Sequence, residues 1–169
     1  MRTRGTGRAA GSLFLILFGL PFAAVGVTMG VVLARSIAAT VRAQGWIETP
    51  AAIVRADLEV NRGSDSTTYR ATAAYRYTFD GRSFEGDRVS FSSGADNVGS
   101  FHQRVHDELA EARDSGRPFR CYVNPANPAE SVLYRGVRVE MALFFLLFVL
   151  VFGGAGLGMM IGGCVAGSR

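Results

Sequence analysis

Residues Leu13–Ala34 read LFLILFGLPFAAVGVTMGVVLA, a run of 22 positions without a charged side chain. At about 1.5 Å per helical residue the run reaches roughly 33 Å, the thickness of a bilayer core. A soluble helix of that length carries charge on its solvent face, so the pattern predicts a transmembrane helix over 13–34. Pro21 falls inside it, where the lost backbone bond and the kink are tolerated once a second helix packs alongside. The basic start Met1-Arg2-Thr3-Arg4 would suit a cleaved signal peptide, but the apolar run is well beyond the roughly 7 to 15 residues such a peptide uses.

Working outward, Met141–Ala166 is a second uncharged run and predicts a second transmembrane helix over 141–166. The charges agree with both. The 169-residue chain carries a net +4, yet positions 46–140 hold 12 arginines against all 14 acids, while Arg2, Arg4, Arg8, Arg35, Arg42 and Arg169 lie at the ends with no acid among them. Basic side chains at span ends meet anionic headgroups, so a lipid bilayer is the expected partner. Nucleic acid is not expected, because phosphate binding needs the basic groups clustered on the folded domain. Arg2, Arg4, Arg8 and Arg169 on the terminal side balance Arg35, Arg42, Arg135 and Arg138 on the loop side, four against four. The compact basic start breaks the tie, giving a cell-membrane protein with a cytoplasmic N-terminus over 1–12 and a cytoplasmic tail over 167–169.

Each span carries a row of small residues. Gly19, Ala23, Gly26, Gly30 and Ala34 follow three-four spacing in the first, and Gly154, Gly158, Gly162 and Ala166 recur every four in the second. Missing side chains let helix backbones approach and gain dispersion contacts that lipid does not drive otherwise. The two rows are expected either to pack together or to pair with another subunit in a homo-oligomer.

Between the spans, 35–48 is a juxtamembrane linker or helical extension with Trp46 at the headgroup level, and 49–138 is a soluble β-rich domain. Pro50 disfavours helix at Thr49 and opens a strand in which Ala52, Val54, Ala56, Leu58 and Val60 alternate with Ile53, Arg55, Asp57 and Glu59. A hairpin follows. Tyr69, Ala71, Ala73, Tyr75, Tyr77 and Phe79 share one face, and Asp80-Gly81 supplies the positive backbone angles of a two-residue turn. Setting Phe79 opposite Arg82 puts Tyr77 opposite Phe84 and Tyr75 opposite Gly86. A bulge near Gly86-Asp87 is then expected, to bring Val89 against Ala73 and Phe91 against Ala71.

Ser100 and Gln103 predict a capping box opening a short helix whose apolar stripe is Phe101, Val105, Leu109 and Ala112, ended by Gly116. Phe119, Cys121 and Val123 alternate as another strand, and a turn through Asn124, Pro125, Asn127 and Pro128 leads to a last short strand around Val132–Tyr134. The fold class is therefore an α+β membrane protein, two transmembrane helices flanking a small antiparallel β-rich domain with one short helix.

This order, with Trp46, then Thr49-Pro50-Ala51 opening a strand, an aromatic hairpin, and Tyr122-Val123-Asn124-Pro125-Ala126-Asn127-Pro128 before a closing span, resembles the bacterial membrane-anchored family called domain of unknown function 3592. The resemblance covers nearly the whole chain and implies a membrane-anchored β-rich domain. It carries over no reaction and no catalytic residue.

Chemistry is sparse. His102 and His106 are four apart on the predicted helix and share a face that suits a metal ion, but Gln103 stands where a zinc-protease helix has its glutamate, and no third ligand has a telling spacing. Surface histidines are the expectation. Asp80 serves the turn, Glu85 and Asp87 point away from the aromatic face, and Ser92-Ser93-Gly94 lacks the flanking glycine of a nucleophile elbow. Cys121 reads as a buried inert thiol, and its separation from Cys164 in the second span argues against a disulfide. No cofactor is expected. The sequence thus points to a non-enzymatic interaction or structural module whose extracytoplasmic β domain meets a membrane or envelope protein. The alternative is a membrane-bound metal-dependent hydrolase built on the His102/His106 helix.

Overall fold

The computed structural model describes residues 5–92 and 94–167, with side chains from Gly11 to Val165. The start Met1-Arg2-Thr3-Arg4, the Arg8 and Ala166 side chains, Ser93 and Arg169 lie outside the described residues. The chain divides into two compact units, one made of the chain up to Arg35 and from Met141 onward, the other of Ser36–Glu140.

The first unit is helical. Helix α1 (Gly5–Ala43) runs through the predicted span and on into the linker, and Gly11–Ala43 and Val139–Val165 are each long and apolar enough to cross a membrane. The second arm is helix α3 (Val139–Phe148), a π-helical turn at Val149–Gly153, and helix α4 (Gly154–Gly167). Close approach between the arms comes from glycine. A Cβ on Gly26 would lie 2.5 Å from the Gly153 backbone, one on Gly19 would lie 2.9 Å from the Gly156 carbonyl, and one on Gly156 would collide with the Ala23 backbone. Gly30 faces Val149 with ordinary space. The Ser12 hydroxyl donates to the Gly163 carbonyl, and the Phe22 and Phe152 rings stack at 5.8 Å.

The expected row on the second arm is not the one that meets α1. Gly154, Gly158 and Gly162 have nothing within 4 Å of a built Cβ, whereas Gly153, Gly156 and Gly163 are in contact. At 100° per residue these two sets lie on nearly opposite faces of the second arm, so it cannot present both to α1. Glycines 153 and 156 continue to 163 by three-plus-seven spacing, the alternative stripe hidden among six glycines in 153–163.

The second unit is a five-stranded antiparallel sheet in the order β3-β2-β1-β4-β5, with helix α2 (Phe101–Ser115) packed on it. Strand β1 (Ile47–Arg62) pairs with β2 (Thr67–Phe79) from Ala51 onward and with β4 (Phe119–Val123) only over Ile47–Ala51. Pro50 has no N–H to give β2, consistent with that ladder starting at Ala51. The single alternation expected for β1 does not occur. Thr49, Ala51 and Ile53 face inward, then the register slips between Ile53↔Tyr75 and Arg55↔Ala74, and Ala56 takes the inward side. Val54 is the extra residue; one inserted position flips every following side chain, which is why Ala52 and Val54 end up exposed.

Strand β3 (Arg82–Gly86) forms the expected hairpin with β2: Phe79↔Arg82, Tyr77↔Phe84 and Tyr75↔Gly86, around Asp80 at φ 47° and Gly81 at φ 74°. The bulge expected at Gly86-Asp87 does not form, because the strand ends there. The Tyr75 ring lies across Gly86, where a Cβ would come within 2.5 Å of it and 2.7 Å of Ser131 Oγ. Beyond that point the chain leaves β2 for the far edge of the sheet, near strand β5 (Ser131–Val132). Leu133 N–H donates to the Arg88 carbonyl at 3.1 Å and Tyr134 N–H to that of Val89 at 2.9 Å. Val89 is buried without pairing opposite Ala73, and Phe91, which does not pair opposite Ala71, makes a T-shaped contact with the Trp46 ring at 5.6 Å. The sheet is thus curled until its two edges meet, with Tyr75 Oη 3.0 Å from Ser131 Oγ and Tyr77 Oη donating to the Pro128 carbonyl at 2.7 Å.

Alanine makes the inner face shallow at Ala51, Ala56, Ala71 and Ala73, which lets α2 set Val105, Leu109 and Ala112 into it. Full burial of Val105 and Leu109 contributes about 1.5–3 kcal/mol each. Gly116 ends α2 in the left-handed region at φ 66°. The capping box is absent: Ser100 sits at φ −110°, ψ 20°, outside the extended geometry that aims a cap hydroxyl at the helix, and it makes no side-chain cap bond.

Candidate functional site

The most concentrated polar chemistry of the second unit is a buried cluster of Asp96, His102 and Arg138. Asp96 lies in the loop between β3 and α2 and is held by backbone pairing with Tyr69, its N–H donating at 3.0 Å and its carbonyl accepting at 2.8 Å. This pairing continues the β2 edge where β3 has departed. The next inward residue, Ala71, donates its N–H to His102 Nδ1 at 3.2 Å, so a histidine ring closes the gap in the sheet. His102 Nε2 lies 3.0 Å from Asp96 Oδ2. Arg138 grips the same carboxylate with two bonds, Nη1 to Oδ2 at 2.7 Å and Nη2 to Oδ1 at 3.0 Å, and adds one to the Val98 carbonyl at 3.1 Å. Its guanidinium also covers the Phe101 ring at 4.4 Å.

The hydrogen bonds fix the protons. Ala71 N–H needs a lone pair on Nδ1, so the ring proton sits on Nε2 and points at Asp96. Burial pushes the Asp96 carboxyl up, but the bonds from Arg138, His102 and the Val98 N–H outweigh it and hold the group below its ordinary value. Both nitrogens of His102 are engaged, leaving no lone pair for a metal, a water or a nucleophile. Ser90 and Ser92 border the same small cavity as His102, of about 220 Å³, yet the Ser90 hydroxyl donates to the Ser92 carbonyl at 2.9 Å. The cluster is chemically a lock: it fixes the helix start, the loop and the stretch before the second apolar arm.

His102 is therefore not a surface histidine. It is 4% exposed and turned inward, while His106 is only partly buried and sits 3.0 Å from Asp107 Oδ1. The pair does not converge, and no group of three or more metal-type side chains occurs among the described residues. Asp96 escaped sequence reading because it lies in an aperiodic loop, and Arg138 because its charge was attributable to the neighbouring span. His102 had a signal: 102, 105, 109 and 112 follow the same three-four rhythm as the stripe begun at Phe101.

The remaining motif residues act structurally. Asn124 accepts the Ala126 N–H on Oδ1 at 3.1 Å and donates its side-chain amide to Glu130 at 2.9 Å, while the Asn127 N–H donates to the Asn124 carbonyl at 3.0 Å. Pro125 and Pro128 shape this turn. Trp46 N–H donates to the Ala43 carbonyl at 3.0 Å, closing the end of α1. Cys121 is fully buried, and burial pushes its thiol up to about 12.

The stretch that holds these turns, 49–138, matches the family described as a domain of unknown function, DUF3592. The chain belongs to the DUF3592 family. No curated protein sequence matches it. Within the DUF3592 domain the whole of the Asp96–His102–Arg138 cluster is contained, as are Pro50, the Asp80-Gly81 turn and the Asn124–Pro128 turn.

Proposed function

We propose that the chain is a membrane-anchored, non-enzymatic interaction module, in which the two apolar helices cross a bilayer and the DUF3592 domain offers the open edge of β1 to a partner protein. The observation that carries this is the unequal pairing of β1. From Ala52 to Arg62 it has β2 on one side and, among the described residues, no strand on the other. Backbone alternation turns the N–H and C=O groups of Ala56, Leu58 and Val60 to that open side, where, among the described residues, only the Ala56 carbonyl has a partner, Arg113 Nη1 at 3.4 Å. An edge of this length templates an added strand unless it is protected. The engaged state of His102 and the deep burial of Cys121 support a binding role over catalysis, since neither group is free to react.

Val60→Pro tests the reading selectively, because it deletes a donor on the open side and leaves the β2 ladder intact. A photocrosslinker placed at Val54 in intact membranes is expected to give an adduct that disappears in Val60→Pro. An adduct of twice the chain's mass would assign the edge to a second copy, and an adduct insensitive to Val60→Pro would overturn edge docking. Orientation is testable because the sequence has no lysine, which leaves an unblocked amino terminus as its one primary amine. With both termini cytoplasmic, a membrane-impermeant amine reagent labels the chain only after lysis; labelling of intact cells reverses the orientation.

A further inference from the structure

We infer that the base of the soluble unit holds a binding groove for the phosphate headgroup of an anionic lipid. A groove of about 300 Å³ is lined by Arg104, Arg120, Arg135 and Arg138 around Tyr122 and Tyr134, with Glu140 as its one acidic lining residue. Val139 and Glu140, which also line it, are the first residues of the second apolar arm. If that arm crosses a bilayer, as proposed above, chain continuity alone sets the groove at headgroup depth.

Asp96 neutralises Arg138, although Arg138 Nε is a buried side-chain nitrogen without a hydrogen-bond partner among the described residues. The other three charges are not spent on a close ion pair. Arg104 is only 4.0 Å from Glu108 in an exposed pair, and Glu108 is the acceptor for the Tyr134 hydroxyl at 2.5 Å. Arg120 makes no ion pair among the described residues and rests 5.6 Å from the Phe119 ring. Arg135 is held in place without being neutralised among the described residues: its guanidinium stacks over Tyr122 at 4.1 Å while Nη1 touches neutral carbonyls, those of Ala43, Gln44 and Trp46, at 3.3–3.5 Å. Guanidinium groups fixed on aromatic faces, with N–H donors left over, suit the oxygens of a phosphodiester. A phosphate anion in water shares that chemistry, so the source has to be separated by experiment.

Trp46 is the one tryptophan of the chain, and its carbonyl is bonded to Arg135, so its fluorescence reports on this region. The full chain is reconstituted in phosphatidylcholine nanodiscs with a minor fraction of phosphatidylglycerol, one lipid at a time brominated as quencher. Preferential quenching by brominated phosphatidylglycerol is expected, falling about fivefold for each of Arg120→Gln and Arg135→Gln and unchanged in Arg76→Gln, a charge-matched change outside the groove. Equal quenching by the two lipids, or equal loss in Arg76→Gln, overturns the groove. Binding of inorganic phosphate by calorimetry in purely neutral nanodiscs, abolished by the two groove variants, overturns the lipid source. Failure of the membrane reading itself is distinct: the chain would then be released from native membranes by alkaline carbonate.

Discussion

Arg138 shows how much one side chain can carry when it is 5% exposed. Removing it as Arg138→Ala leaves the Asp96 carboxylate nearly buried without its cation, a change expected to cost about 3–5 kcal/mol. Thermal unfolding in detergent, followed by Trp46 fluorescence, measures it. Asp96→Asn is milder and carries a pH signature. The folded carboxyl is held below its ordinary 3.8, so its contribution is complete above that value and is lost as pH falls further through the folded value. The stability gap between the wild type and Asp96→Asn should be constant from neutral pH to about 5 and shrink only in stronger acid. A gap that vanished already near pH 6 would mean a different group was titrating. None of this was readable from sequence order, because a buried ion pair 42 residues apart leaves no periodic trace. Asp80-Gly81 was readable, since the turn's chemistry lies in two adjacent residues.

Among the elements, glycine decides the packing in both units. Gly86→Ala drives a methyl into the Tyr75 ring and the Ser131 hydroxyl, and overpacking of this kind costs about 1–3 kcal/mol. The same calorimetric or fluorescence melt reads it. In the apolar arms, Phe22→Cys with Phe152→Cys, in a Cys164→Ser background, is expected to form a disulfide readily. Gly26→Ala or Gly156→Ala should lower its yield severalfold, and Gly158→Ala should not, because only the first two meet backbone across the contact. Which stripe of the second arm meets α1 was not legible for a definite reason: small residues are so dense there that two stripes fit the spacing, and only the partner helix selects one. The β1 faces were misread because a one-residue bulge is invisible to a period-two count. The hairpin register was legible to the residue up to Gly86, and then the chain crossed to the other sheet edge, a long-range event with no local signal.

For the molecule as a whole, the second unit contains its own core and, among the described residues, both members of every ion pair it uses, so Ser36–Glu140 without the apolar arms is expected to fold cooperatively and to resist proteolysis. A melt without a cooperative transition would show that the arms are needed. Two apolar runs at the ends and a β-rich middle were legible because composition alone separates them. What binds the ends of that middle together was not. Arg135 Nη1 reaches the carbonyls of Ala43, Gln44 and Trp46, so one guanidinium ties the place where the chain enters the second unit to the place where it leaves. A module stitched shut at its own neck behaves as a cassette. Its architecture makes few demands on the two apolar helices, so replacing them with unrelated helices is expected to leave the cassette's shape intact.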